Sequence, residues 1–172
     1  MSNVLENIKS KASALNKCIV LPEGEDSRVV IAAAEAVKQK LARVVVLGNP
    51  EEIAKANPDV NLDGVTIIDP VTNAKTRDYA EILFNARAGK INKKTGQPEY
   101  ADVDAAVKSI LKDYTMFAAL MVKSGDADGM VSGACHSTAN TLRPALQVIK
   151  TKKGTKLVSC CFCKAQYITP AV

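Results

Sequence analysis

Five short apolar runs, each closed by a turn or acidic residue and most followed by a stretch with helical spacing, constrain this chain most. Cys18-Ile-Val-Leu-Pro22 is apolar and ends in proline, and the Ala-rich stretch 27–41 after it has helical character. Val44-Val-Val-Leu47 runs into Gly48-Asn-Pro50, a turn that opens a helix over 51–56. Residues 65–68 form a third strand, ended by Asp69-Pro70, before a helix over 76–88 with Tyr79, Leu83 and Phe84 inward. A polar, turn-rich loop over 89–99 leads to one long helix over 101–124, in which Val107, Ile110, Leu111, Tyr114, Phe117, Ala118 and Met121 recur at helical intervals. A strand over 127–131, a loop over 132–140, a helix from 141 to 150 and a last strand over 157–163 complete the order. Ahead of them all, Ser2 can cap a helix whose Val4, Leu5, Ile8, Ala12 and Leu15 share one face, which must dock on something. Strands that alternate with helices predict an α/β fold: three layers, a mostly parallel sheet and helices on both faces. In such sheets ligands sit beyond the carboxyl ends of the strands.

Composition removes several function classes. Apolar residues make up 47% of 172, enough for a buried core, and no apolar run approaches the ~20 residues a bilayer span needs. The opening 17 residues are helical and mixed in charge, unlike a secretory signal. Five cysteines offer no paired framework, and Cys160, Cys161 and Cys163 lack the CxxC spacing of a zinc site, so a reducing cytoplasmic setting and no metal are expected. The net charge of +5 is scattered and aromatic residues are 4%, which argues against a nucleic-acid stripe and favours small anionic ligands only weakly.

The segment Asp128-Gly-Met-Val-Ser-Gly-Ala-Cys-His-Ser-Thr-Ala-Asn-Thr-Leu-Arg-Pro144 carries the most chemical information. A strand leads into a small, hydroxyl-rich loop and then a helix whose first turn is expected to hold Arg143 and Pro144. Unpaired amides and the positive helix end attract an anion; Ser137, Thr138 and Thr141 add hydroxyls, and Arg143 can offer two parallel hydrogen bonds to a phosphoryl group. A well-capped corner with no ligand explains the same pattern. His136, the one histidine, reads as a general base or as a residue that ties the loop down. Glu23, Glu25 and Asp26 read as acid or base groups or, better, as carboxylates at a helix amino terminus. Arg87 reads locally as a cation at a helix carboxyl end. Neither a dinucleotide glycine pattern nor a GxxxxGK[ST] loop is present in this segment.

Taken together, Ile19-Val-Leu-Pro-Glu-Gly-Glu-Asp-Ser-Arg28, Val45-Val-Leu-Gly-Asn49, Val131-Ser-Gly-Ala-Cys-His-Ser137 and Thr141-Leu-Arg-Pro144 closely resemble the phosphate acetyl/butyryl transferase family, over about residues 3–162. The resemblance implies a first lobe like that of isocitrate/isopropylmalate dehydrogenase-like proteins, in a two-domain, usually homodimeric enzyme with its site in the interdomain cleft. It implies an acyltransferase that interconverts acetyl phosphate plus coenzyme A with acetyl-CoA plus phosphate, coenzyme A being a substrate and no cofactor being required. It makes Arg87 and Arg143 the phosphate- and coenzyme-A-interacting arginines and Ser137 and Thr138 hydroxyls of the acyl-phosphate site. The family's proposed catalytic aspartate has no counterpart here, so no catalytic residue is assigned. Residues 1–162 are expected to form the amino-terminal α/β domain and 163–172 a divergent tail, with the second domain absent. A non-catalytic domain that senses acetyl-CoA or acetyl phosphate, or an inactive fragment, are the alternative readings.

Overall fold

A computed structural model describes residues 3–92, 95–152 and 154–155. Four parallel strands, β1 (Cys18–Leu21), β2 (Arg43–Leu47), β3 (Thr66–Ile68) and β4 (Gly129–Met130), form one sheet in the order β3-β2-β1-β4. In register, Val20 lies opposite Val45 and Met130, and Leu47 opposite Ile68. The strand expected over 157–163, with its three cysteines, lies outside the described residues.

Alternation along the strands sorts side chains to two faces. Val20, Val45 and Leu47 point to a core built with α4 (Thr76–Ala86), α5 (Val103–Lys112) and α6 (Tyr114–Ser124), where Tyr79 meets Phe117 edge to face at 5.0 Å. Val44 and Val46 point the other way, to Val30 and Ala33 of α2 (Ser27–Lys38) and Ile53 of α3 (Pro50–Ala56). Helices therefore cover both faces, as the alternating pattern implies, and β1 and β2 are buried as expected for a parallel sheet.

Three expectations need correction. The long helix over 101–124 is two helices, because Asp113 adopts an extended backbone (φ −141°, ψ 90°) and its carboxylate caps α6 by accepting from the Thr115 amide at 3.0 Å. Apolar spacing runs through this break, since both helices bury the same side. The helix over 141–150 starts earlier, as α7 (Thr138–Pro144), because the Ser137 hydroxyl caps it, and it passes into a π turn over Ala145–Ile149 in which the Lys150 amide donates to the Ala145 carbonyl at 2.9 Å. Pro144 thus ends α7 rather than opening it. Finally, α1 (Asn3–Leu15) forms, yet Val4, Ile8 and Leu15 are 72%, 52% and 64% exposed. Its period makes a helix locally, but no described element covers that face.

The carboxyl ends of β1 and β2 meet tightly. The Gly24 amide donates to the Leu47 carbonyl at 3.2 Å, and a Cβ at this position would lie 2.3 Å from that same oxygen and 2.9 Å from Ile53 and Val46 side-chain atoms. Backbone cannot yield there as a flexible side chain can. We expect Gly24→Ala to destabilise the fold by about 1–3 kcal/mol, read as a lower urea midpoint, and an unchanged midpoint would show that this approach is looser than described.

Candidate active site

The strand order places the topological switch between β1 and β4: the chain builds outward from β1 to β3, then returns to β4 on the opposite side. The segment after β1 and the loop after β4 leave the sheet side by side there, and Glu23 joins them. Its side chain, 1% exposed, accepts hydrogen bonds from the amides of Gly133 (2.8 Å), Ala134 (2.9 Å), Cys135 (3.0 Å) and His136 (3.0 Å), and from His136 Nδ1 (2.8 Å). Four successive amides wrapped about one carboxylate form a nest for an anion. Gly133 makes the wrap possible with φ +111°, a backbone region that other residues rarely adopt.

Burial alone would raise the Glu23 pKa, but the amides of Ala134 and Cys135, the His136 ring and the Gly133 amide outweigh it and hold the carboxyl at about 2. Glu23 is thus neither a helix-end carboxylate nor a proton donor at neutral pH; that expectation is corrected by its depth between two loops. Asp26 does take the capping role, accepting from the Arg28 amide at 2.9 Å. Its charge is also met by the Arg28 guanidinium, whose Nη2 further donates to the Ala134 carbonyl at 3.0 Å. His136 ties the loop down through Glu23, the plainer of its two readings.

The loop amides are therefore engaged from within, and the groups left to meet a ligand are side chains of α7. Ser137 and Thr138 are exposed; Ser137 Oγ accepts from the Asn140 amide at 3.3 Å, so its hydrogen remains available. Thr141 is half-buried and donates to the Ser137 carbonyl at 3.2 Å, which makes it a structural hydroxyl in this arrangement. Arg143 is exposed, with no hydrogen-bond or ion-pair partner among the described residues. Arg143 is the sixth residue of α7, beyond its first turn. Arg87 is at the carboxyl end of α4, 20% exposed, and its Nε and Nη2 donate to Glu99 at 3.0 and 2.5 Å. Among the described residues no hydrogen bond or ion pair links Arg87 to Ser137, Thr138, Thr141 or Arg143; those four are carried by α7 and its cap, from its start to its last turn, and the charge of Arg87 is met by Glu99.

Two further features escaped the sequence. A cavity of about 510 Å³ opens at the carboxyl ends of β1, β2 and β3, lined by Glu25, Asn49, Glu52, Asp69 and Tyr114 among others, and three carboxylates give it negative character. Glu23 Oε1, Cys135 Sγ and His136 Nδ1 lie within 4.8 Å of one another. Burial and the Glu25 and Glu23 carboxylates push the Cys135 thiol up to about 12, so it is not a thiolate nucleophile at neutral pH. Only tertiary structure brings these groups together, since 112 residues separate Glu23 from Cys135.

An open α/β sheet with its loops joined at the switch point defines a class of proteins that bind ligands at that edge. Comparison narrows the class. The family described as Phosphate acetyl/butaryl transferase matches residues 3–166, and the chain belongs to it. A phosphate acetyltransferase from Acetivibrio thermocellus is 46% identical over 158 residues, covering 92% of this chain and 45% of that protein. A phosphotransacetylase structure from Streptococcus pyogenes superposes with a TM-score of 0.78 at 38% identity, over 91% of this chain and 46% of the other. The EutD phosphotransacetylase from Staphylococcus aureus superposes with a TM-score of 0.76 at 33% identity, covering 91% and 44%. The chain spans about half the length of the relatives it matches. Among the described residues, no helix is long and apolar enough to cross a membrane.

The Glu23 clamp has a pH signature. Because the folded pKa, about 2, lies below the ordinary 4.5, the stability Glu23 confers is fully present above pH 4.5 and is lost as pH falls toward 2. We expect Glu23→Gln to cost roughly 2–4 kcal/mol at pH 7, by mispairing its amide hydrogens with the loop amides, and to flatten the fall in melting temperature between pH 4.5 and 2. Equal acid sensitivity in both proteins would remove Glu23 as the responsible group.

Proposed function

We propose that this chain supplies part of the acyl-phosphate site of a phosphate acetyltransferase, which transfers an acetyl group reversibly between acetyl phosphate and coenzyme A. The observation that carries the reading is the exposed Arg143, without a partner among the described residues, on the hydroxyl-bearing helix α7, at the switch point of a chain that belongs to this family. In the forward direction the thiolate of coenzyme A, its proton already given to solvent, attacks the acetyl carbonyl; the carbon–sulfur bond forms, the carbon–oxygen bond to phosphate breaks, and phosphate departs with the electron pair. Negative charge grows on the carbonyl oxygen and then on phosphate, where a guanidinium and hydroxyl donors stabilise it more than they do the ground state.

In this reading Arg143, in the last turn of α7, holds phosphoryl oxygens with paired hydrogen bonds, and Ser137 and Thr138 donate to them from the helix start. Thr141 keeps the helix start in place through the Ser137 carbonyl. Arg87 contributes to phosphate or coenzyme A only if the ligand shares it with Glu99, because that carboxylate already takes two of its donors. The acidic cavity beside β2 and β3 repels a phosphate, which leaves the α7 side to receive it. Coenzyme A is a substrate, no residue of this chain is given the role of acid or base, and the reading includes a homodimer, drawn from the family resemblance, in the cytoplasm, drawn from the lack of a paired cysteine framework.

Titration of the folded chain with acetyl phosphate tests this. Arg143→Ala should weaken binding roughly 10–100-fold, the value of one charge-assisted contact, and Thr138→Ala by less. Equal affinity in wild type and Arg143→Ala would end the reading. A parallel assay of acetyl-CoA formation reports whether bound acetyl phosphate also turns over.

A further inference from the structure

The geometry points to a divalent-metal site, suited to Zn²⁺, formed by Glu23, Cys135 and His136, with the fourth position open to solvent. It is independent of the acyl-transfer reading. Cys135 Sγ lies 3.4 Å from Glu23 Oε1, 3.3 Å from Glu25 Oε1 and 3.6 Å from His136 Nδ1, and His136 Nδ1 lies 2.8 Å from Glu23 Oε1. Around a tetrahedral zinc with ordinary bond lengths, sulfur-to-oxygen and sulfur-to-nitrogen edges are about 3.5–3.6 Å and nitrogen-to-oxygen edges about 3.4 Å. Two of the three distances among these donors already sit within a few tenths of an ångström of those edges. Only the His136–Glu23 contact must lengthen, and it does so when an ion replaces the hydrogen between them.

What converges here matters as much as the spacing. Two side-chain donors, the Cys135 thiol and the His136 ring, aim at the same oxygen, Glu23 Oε1, which also accepts from the Cys135 and His136 amides. An ion seated among Sγ, Nδ1 and Oε1 replaces the two side-chain hydrogens and leaves both amide bonds in place, so the loop need not reopen. The thiol proton leaves to solvent and the neutral ring keeps its hydrogen on Nε2. Glu25, exposed and accepting from Cys135 Sγ, has no cationic partner among the described residues and adds negative charge beside the three donors. Sulfur, nitrogen and carboxylate oxygen together suit zinc rather than calcium or magnesium. Glu23 comes from the corner after β1 and the other two from the loop after β4, so the ion would pin the switch point shut.

The test uses the full chain, reduced and freed of metal, titrated with Zn²⁺ by calorimetry and with Co²⁺ by absorbance, which reports a sulfur-to-cobalt band. One equivalent should bind with the sulfur signature, and Cys135→Ser should weaken it by roughly 100-fold, as loss of a direct ligand does at least as much as loss of an outer partner. His136→Gln should weaken it as well. Because Glu23 variants lose stability, Cys135→Ser is the deciding change, with circular dichroism to show that it remains folded. A chain with Cys160, Cys161 and Cys163 all changed to serine should bind as wild type does. No binding by wild type, unchanged affinity in Cys135→Ser, or loss confined to the triple variant would each overturn the site.

Discussion

A single carboxylate organises the functional edge of this fold. Glu23 is buried with no Lys or Arg paired to it among the described residues, an arrangement tolerated only when hydrogen bonds replace the lost water. Four consecutive amides do so, and in return the carboxylate gives the loop after β4 its shape. Two segments 110 residues or more apart in sequence thereby become one corner. Ser137 caps α7 directly after the last of those amides, so the start of that helix inherits its position from Glu23.

That corner divides the carboxyl edge of the sheet by charge. On the β2 and β3 side, Glu25, Glu52 and Asp69 surround the cavity with carboxylates, and the hydroxyl of Tyr114 is pushed up first by its burial and then by the same three charges. On the α7 side stands Arg143, on the same helix as Thr138 and with no carboxylate bound to it among the described residues. Under the proposed function, a phosphate compound approaching this edge meets opposite potentials on its two sides, which would orient it before any contact forms. Arg87 adds little to that field, because Glu99 cancels its charge at close range.

The layered fold was legible because its signals are local: buried runs such as Val44 to Leu47, an asparagine cap at Asn49 followed by Pro50, and acidic or proline stops. The breaks were not, for reasons particular residues make plain. Asp113 interrupts a continuous apolar period because one side-chain cap outweighs the gain from extending a helix, and spacing alone cannot register that. Ser137 starts α7 early by the same physics. At the site, hydroxyls and the guanidinium on α7 were readable from their clustering within seven residues, from Ser137 to Arg143. Glu23 was misjudged because a carboxylate after a strand ordinarily serves the next helix, and only the pairing of β1 with β4 reveals what it faces. The Cys135 and His136 contacts with Glu23 and Glu25 were hidden for the same reason.

An anion nest filled by the protein's own carboxylate also changes how binding at α7 should be understood. Loops that wait for a phosphate must be ordered by it, and that ordering subtracts from affinity. Here the loop is already wrapped around Glu23, so Ser137 and Thr138 are held where a ligand would meet them before it arrives. The nest cannot then contribute its own amides to the ligand, and specificity rests on a few side chains instead. The same internal charge gives the corner the second capacity proposed above, since a cluster that gathers a carboxylate, a thiol and an imidazole around one point can give up the thiol proton and two side-chain hydrogen bonds for one metal ion without unravelling the loop that made it.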